Sequence, residues 1–269
     1  MRSCACVLAL TLAAVVPAGA AEPAALAKAR LLYNAADYDA AIAAATEART
    51  QPASADAGAL VLARAHLERY RQRADPADLS AARDALQAIK PDALGSRDRV
   101  DLLVGLGQSL FLGEAFGAAA ELFDAALVQG ITLAPRARVL LLDWWASALD
   151  REAQSRPADR RAPVFERIIA RMEDELRIDP ASPPASYWLA VAARGAGDLD
   201  RAWDAAIAGW VRAALNPETA PAVRADLDRF VGQVLIPEKA RRRQALSHEG
   251  PEPAEALRSE WELLKSQWK

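Results

Sequence analysis

The side chains best suited to chemistry are few and scattered. The sequence holds two histidines, His66 and His248, far apart and with no partner at metal-ligand spacing. His66 falls on an expected helix and reads as a partly buried packing residue, while His248 lies in a Ser-His-Glu turn open to solvent. No HExxH helix, nucleophile elbow or phosphate loop is present. Gly105-Leu106-Gly107 lacks the third glycine and the preceding strand of a dinucleotide loop. Glu173-Asp174-Glu175 reads as a solvated helical run, and Asp198 with Asp200 as part of an inter-helix turn. Neither has the loop length or the glycine that calcium requires. Catalytic carboxylate pairs are set by space and not by sequence spacing, so that route stays open. The expectation is a protein that is not an enzyme and takes no metal and no cofactor.

Two features point to binding instead. All seven tryptophans follow residue 143, at Trp144, Trp145, Trp188, Trp203, Trp210, Trp261 and Trp268. Trp203 and Trp210 are two turns apart, so one helix face can bury both. Trp144 and Trp145 are adjacent and diverge by about 100° on a helix. One of them is therefore free to face a groove, where an indole anchors a peptide or stacks on a sugar. The other reading makes all seven packing residues. The basic run Lys239, Arg241, Arg242 and Arg243 reads as a solvated helix face, with an anionic surface as the lesser alternative.

The elements that carry these residues are helical. Alanine is far above ordinary usage, and it favours helix because it loses no side-chain entropy there. The formal net charge of −3, with acids and bases intermixed, gives no basic face for nucleic acid. Residues 1–20 read as a signal peptide: Arg2, an apolar run from Cys4 to Val16, then Pro17-Ala18-Gly19-Ala20 as a small-residue cleavage site. That run is short for a membrane span, and no second one follows, so the expected product is exported, periplasmic or secreted. Cys4 and Cys6 leave with the leader, so the mature chain is expected to lack disulfides and thiol chemistry.

Internal repetition organises the rest. From Arg99, the residues Leu103, Leu106, Gly107 and Leu110 are followed after a short turn by Phe116, Ala119, Phe123, Ala126 and Leu127. Small residues at Gly107 and Ala119 let two helices approach, and the large ones fill the grooves beside them. Ala29, Leu32, Ala36, Tyr38, Ala41, Ile42, Ala45 and Ala48 repeat the pattern earlier in the chain. Ala190, Gly197, Leu199, Ala202 and Trp203 repeat it later. Two weaker units keep Ala63, Leu79, Ala82 and Leu86, and Phe165, Ile168, Met172 and Leu176. Their internal turns look stretched, over Arg69 to Ala77 and Arg151 to Ala162. Pro52, Pro91, Pro135, Pro180 and Pro217 fall between units, where a missing N–H does least harm.

This spacing resembles the tetratricopeptide-repeat (TPR) superfamily, with leucines in place of the aromatic residues of the W-x2-L-G-x2-Y motif. The resemblance implies an all-α fold, a TPR-like right-handed superhelix of about five helix pairs over residues 21–217. Residues 218–269 depart from the pattern. Val223, Leu227, Phe230, Val231 and Val234 mark one helix, and Pro237 opens another through Leu246. Leu257, Trp261, Leu264 and Trp268 mark a last stripe, and together these are expected to cap the array. In such arrays the first helix of each pair lines the ligand groove. Phasing the sequence puts Arg30, Tyr33, Asn34, Arg64, Gln108, Phe111, Trp145, Tyr187 and Arg194 on that side. Arginine mixed with aromatic rings suits an acidic or C-terminal segment of a protein or peptide partner. The alternative is a glycan or small ligand in a cleft of the tryptophan-rich second half.

Overall fold

In a computed structural model of the protein the described residues are 22–130, 133–246 and 253–268. The expected leader, Cys4 and Cys6 and the turn holding His248 lie outside them. Regular structure among the described residues is helical, with no strand. Helices pack in consecutive pairs: α1 (Ala24–Asn34) on α2 (Tyr38–Arg49), α3 (Ala55–Arg73) on α4 (Pro76–Gln87), and α5 (Ser96–Leu112) on α6 (Phe116–Gln129). Next come α7 (Pro135–Ser155) with α8 (Ala162–Ile178) and α9 (Pro183–Gly195) with α10 (Leu199–Arg212). The odd-numbered helices also touch one another in order, α1 to α3, α3 to α5, α5 to α7 and α7 to α9. They therefore form a row with the even-numbered helices behind it.

The turns inside the pairs repeat in backbone detail. After α1, α5 and α9, the amides of Asp37, Ala115 and Asp198 donate to the carbonyls of Leu32, Leu110 and Ala193 at 2.9–3.0 Å. Each of these closes a Schellman turn, which needs one left-handed residue. Ala36, Glu114 and Gly197 supply it, with φ of 59°, 62° and 89°. Asp37 and Asp198 then cap α2 and α10 by accepting from Ala40 and Arg201 N–H groups, at 3.2 and 2.9 Å. Between the pairs, prolines open α7 and α9, where φ is already helical and no N–H is required.

Two stretched turns were expected, and one is absent. The extra residues after Arg69 lengthen α3 to 19 residues, leaving Ala74 and Asp75 as the whole turn. Helix continues there because Arg69, Arg71 and Arg73 are good helix formers bound to acids beside them. The stretch after Arg151 is shared: α7 runs on to Ser155 before a loop with one 3₁₀ turn.

Close approach within a pair has a residue-level cause. A Cβ on Gly107 of α5 would lie 2.5 Å from the ring of Phe123 in α6, so only glycine lets that ring seat fully. Beyond the pairs, α11 (Ala220–Phe230) continues through a π-turn, Val231–Leu235, into α12 (Ile236–Leu246) without a break. The sequence pattern implied two separate helices at Pro237. The π-turn directly before it re-routes the ladder that a proline would otherwise interrupt. α13 (Pro253–Gln267) folds back and buries Leu257 and Trp261.

Candidate functional site

A trench runs across the row of odd-numbered helices. Its deeper part, ≈ 490 Å³, lies between α3, α5 and α7, and a narrower arm extends onto α1. The two share Tyr33, Arg64 and Asp101 as common wall. Six of the nine residues phased to the groove line it: Arg30, Tyr33 and Asn34 from α1, Arg64 from α3, and Gln108 and Phe111 from α5.

The remaining three are elsewhere, and each is a correction. Trp145 is 1 % exposed and points into the core, where Arg171 and Arg167 stack over its ring at 5.3 and 6.0 Å. Its neighbour Trp144, turned by one residue, faces the trench instead. Tyr187 packs edge-on against Trp188 and Phe230, with ring centroids 5.5 and 6.2 Å away. Arg194 binds Glu238 of α12 through two nitrogens, beside a separate hollow that also holds Asp150, Arg161 and Arg242. For Tyr187 and Arg194 the cause is shared, since α11 packs on α9 and Glu238 of α12 reaches Arg194, whereas Trp145 is turned one residue away from the trench, toward α8.

The tryptophan-rich second half is largely packing. Trp188 donates to Asp143 at 2.8 Å, Trp203 to Glu260 at 3.1 Å and Trp261 to Asp228 at 2.8 Å. Trp210 donates to the carbonyl of Trp268 at 3.2 Å, and Arg224 donates to the same oxygen at 2.9 Å. A small hollow of ≈ 190 Å³ opens beside Trp203 and Trp261. Burial alone would raise the Asp228 carboxyl, yet the bonds from Lys265 and Trp261 hold it below its ordinary value. Two surface readings also change. Glu175, expected to be solvated, is 4 % exposed and gripped by Arg138, and Lys239 is buried against Asp200.

Electrostatically the trench is balanced, which departs from an arginine site for anions. Four arginines, Arg30, Arg64, Arg71 and Arg97, face four carboxylates, Glu68, Asp98, Asp101 and Asp143. Arg30 bonds Asp98 at 2.9 Å, Arg64 bonds Asp101 at 3.1 Å, and Arg71 bonds Glu68 at 2.7 Å. Arg64 also lies 4.8 Å over the ring of Tyr33, and Arg71 lies 5.1 Å over Trp144. Burial pushes the Tyr33 hydroxyl above its ordinary value, with the Arg64 charge opposing, so it stays a neutral phenol. The apolar floor is Phe111 edge-on to Trp144 at 5.0 Å, with Leu133 and Leu140 beside them. Leu140 is 56 % exposed.

Glu68, Arg71, Asp101 and Leu140 escaped the sequence reading, although a signal existed, and Trp144 is the member of the Trp144–Trp145 pair that faces the groove. Arg64, Glu68 and Arg71 follow at i+4 and i+7 on α3; Asp101, Val104, Gln108 and Phe111 recur at helical spacing on α5. His66, read as a packing residue, bonds Asp78 at 2.7 Å, and Arg69 grips the same carboxylate through two nitrogens. That bond holds Asp78 below its ordinary carboxylate value, Arg69 being the main cause. No protein-family model matches the chain, and no curated protein is significantly similar to it.

Proposed function

We propose that this protein is a non-enzymatic scaffold that holds a segment of another protein in the trench across α1, α3, α5 and α7. The observation that carries the reading is the trench itself. A row of helices presents aromatic, apolar and hydrogen-bonding groups to solvent along one face, with exposed Leu140 on its α7 side. The repeated Schellman turns and the Gly107–Phe123 approach support a TPR-like superhelix, in which this face is the concave one. The leader-like first 20 residues support an exported protein of the bacterial cell envelope. Among the described residues no helix is long and apolar enough to cross a membrane.

A photo-crosslinking residue at position 140, installed in the native host, tests the proposal. A defined protein adduct is expected there and not from position 128, where exposed Val128 lies outside the trench. Equal adducts at both positions, or none at 140, would sink it.

A further inference from the structure

Two polar atoms in the trench are buried without a protein partner: the side-chain oxygen of Gln108 and Nε of Arg64. Gln108 is 6 % exposed and its oxygen is covered by protein while the trench is empty, so a partner reaches it when the carboxamide turns over about its last bond, a soft torsion. An unmet acceptor at such depth costs about 1–3 kcal/mol, and proteins rarely keep one without a use. The charged groups around it already have partners. Arg64 is neutralised by Asp101 and Arg71 by Glu68, so an incoming carboxylate would have to displace an existing ion pair.

The dimensions narrow the choice further. Neighbouring helices lie about 8–10 Å apart, so a trench crossing four of them runs about 25–30 Å, or some eight residues of extended chain at ~3.3 Å each. A compact ligand would fill the deep part and leave the arm on α1 empty.

We infer that the occupant is an extended, uncharged peptide segment anchored by one large apolar side chain. The anchor fills the floor between Phe111, Leu140 and Trp144, and a backbone N–H beside it donates to Gln108. This rests on the groove reading above and specifies its ligand: an internal stretch of chain and not an acidic terminus.

The test is selection on the purified full-length protein from two displayed nonapeptide libraries, one flanked by glycine-serine linkers at both ends and one ending in a free carboxylate. The linker-flanked library should enrich peptides with one recurrent Leu, Phe or Trp and no net charge. Replacing that residue by alanine should weaken binding at least tenfold by fluorescence anisotropy. Gln108→Met, matched in volume, should leave the melting temperature equal or higher while weakening the peptide about tenfold, the worth of one hydrogen bond. N-methylation of the donating amide should cost the same on the wild type and nothing further on Gln108→Met. Enrichment of acidic sequences from the free-carboxylate library alone overturns the inference. So does the absence of any peptide whose binding depends on Leu140 and Gln108. A crosslinked adduct at position 140 alongside either failure leaves the scaffold reading standing, so the two ideas fail separately.

Discussion

The two ends of this helical stack use the same kinds of side chain to opposite effect. From α1 to α7 the odd-numbered helices leave aromatic and polar groups facing outward, and Phe111, Trp144 and Leu140 meet no covering element. From α9 onward the equivalent face is closed by α11 and α12, while α13 backs α10. Arg194 ends on Glu238, Tyr187 on Phe230, and Trp203 and Trp210 on Trp261. Aromatic content therefore does not mark the open surface. What marks it is the absence of a second layer.

The contrast is broken most directly by deleting one ring from each end. Trp261→Ala removes a ring that is 2 % exposed and bonded to Asp228, and should cost about 3–5 kcal/mol in urea denaturation. Trp144→Ala, in the half-buried trench wall, should cost markedly less while abolishing the adduct at position 140. Equal losses of stability would erase the distinction.

The amino-terminal half has its own interior tie, the His66–Asp78–Arg69 cluster. Asp78→Asn strands a partly buried guanidinium and should cost about 2 kcal/mol at pH 7. The folded carboxyl binds its proton more weakly than the unfolded one, so its contribution is complete above the ordinary carboxylate value. It fades as acid protonates the folded form, and the gap between Asp78→Asn and the wild type should close on acidification. A gap that does not vary with pH would remove the cluster from this role.

A smaller effect tests the spacing behind the trench. Gly107→Ala drives a methyl into Phe123 and should cost about 1–3 kcal/mol, partly recovered in combination with Phe123→Leu. The smallest compares matched turns from the two halves. Glu114→Gly should stabilise by about 0.5–1 kcal/mol, whereas Gly197→Ala should destabilise by about 1, since both positions are left-handed. Like signs in differential scanning calorimetry would mean that the turns are not equivalent.

Much of the pairing was legible because it rests on local, short-period signals. Gly107 with Phe123, the Asp198 cap and the prolines between pairs all follow from residues close in sequence. The amino-terminal wall of the trench was legible for the same reason. The helical phase of α1, α3 and α5 places Arg30, Tyr33, Arg64, Gln108 and Phe111 on one side. Sequence failed where a distant element decides. Nothing near Tyr187 or Arg194 announces that α11 and α12, some 40 residues on, will cover them. Trp145 was missed by a single residue of phase, enough to exchange a core indole for a surface one. The pairing of Arg64 with Asp101 joins two helices, and it changed the charge that the trench offers.

The last turn of the chain has a consequence for how the molecule comes apart. The ends of helical stacks ordinarily fray, since a terminal helix has a neighbour on one side only. Here the Trp268 carbonyl is held by both Arg224 and Trp210, and Trp261 reaches a ring 58 residues earlier in Trp203. α13 is thereby stitched across α10 and α11, and its amides should exchange with the slow interior class and not with the termini. Among the described residues α1 is joined to the stack chiefly through α2 and α3, so opening is expected there before it reaches α13.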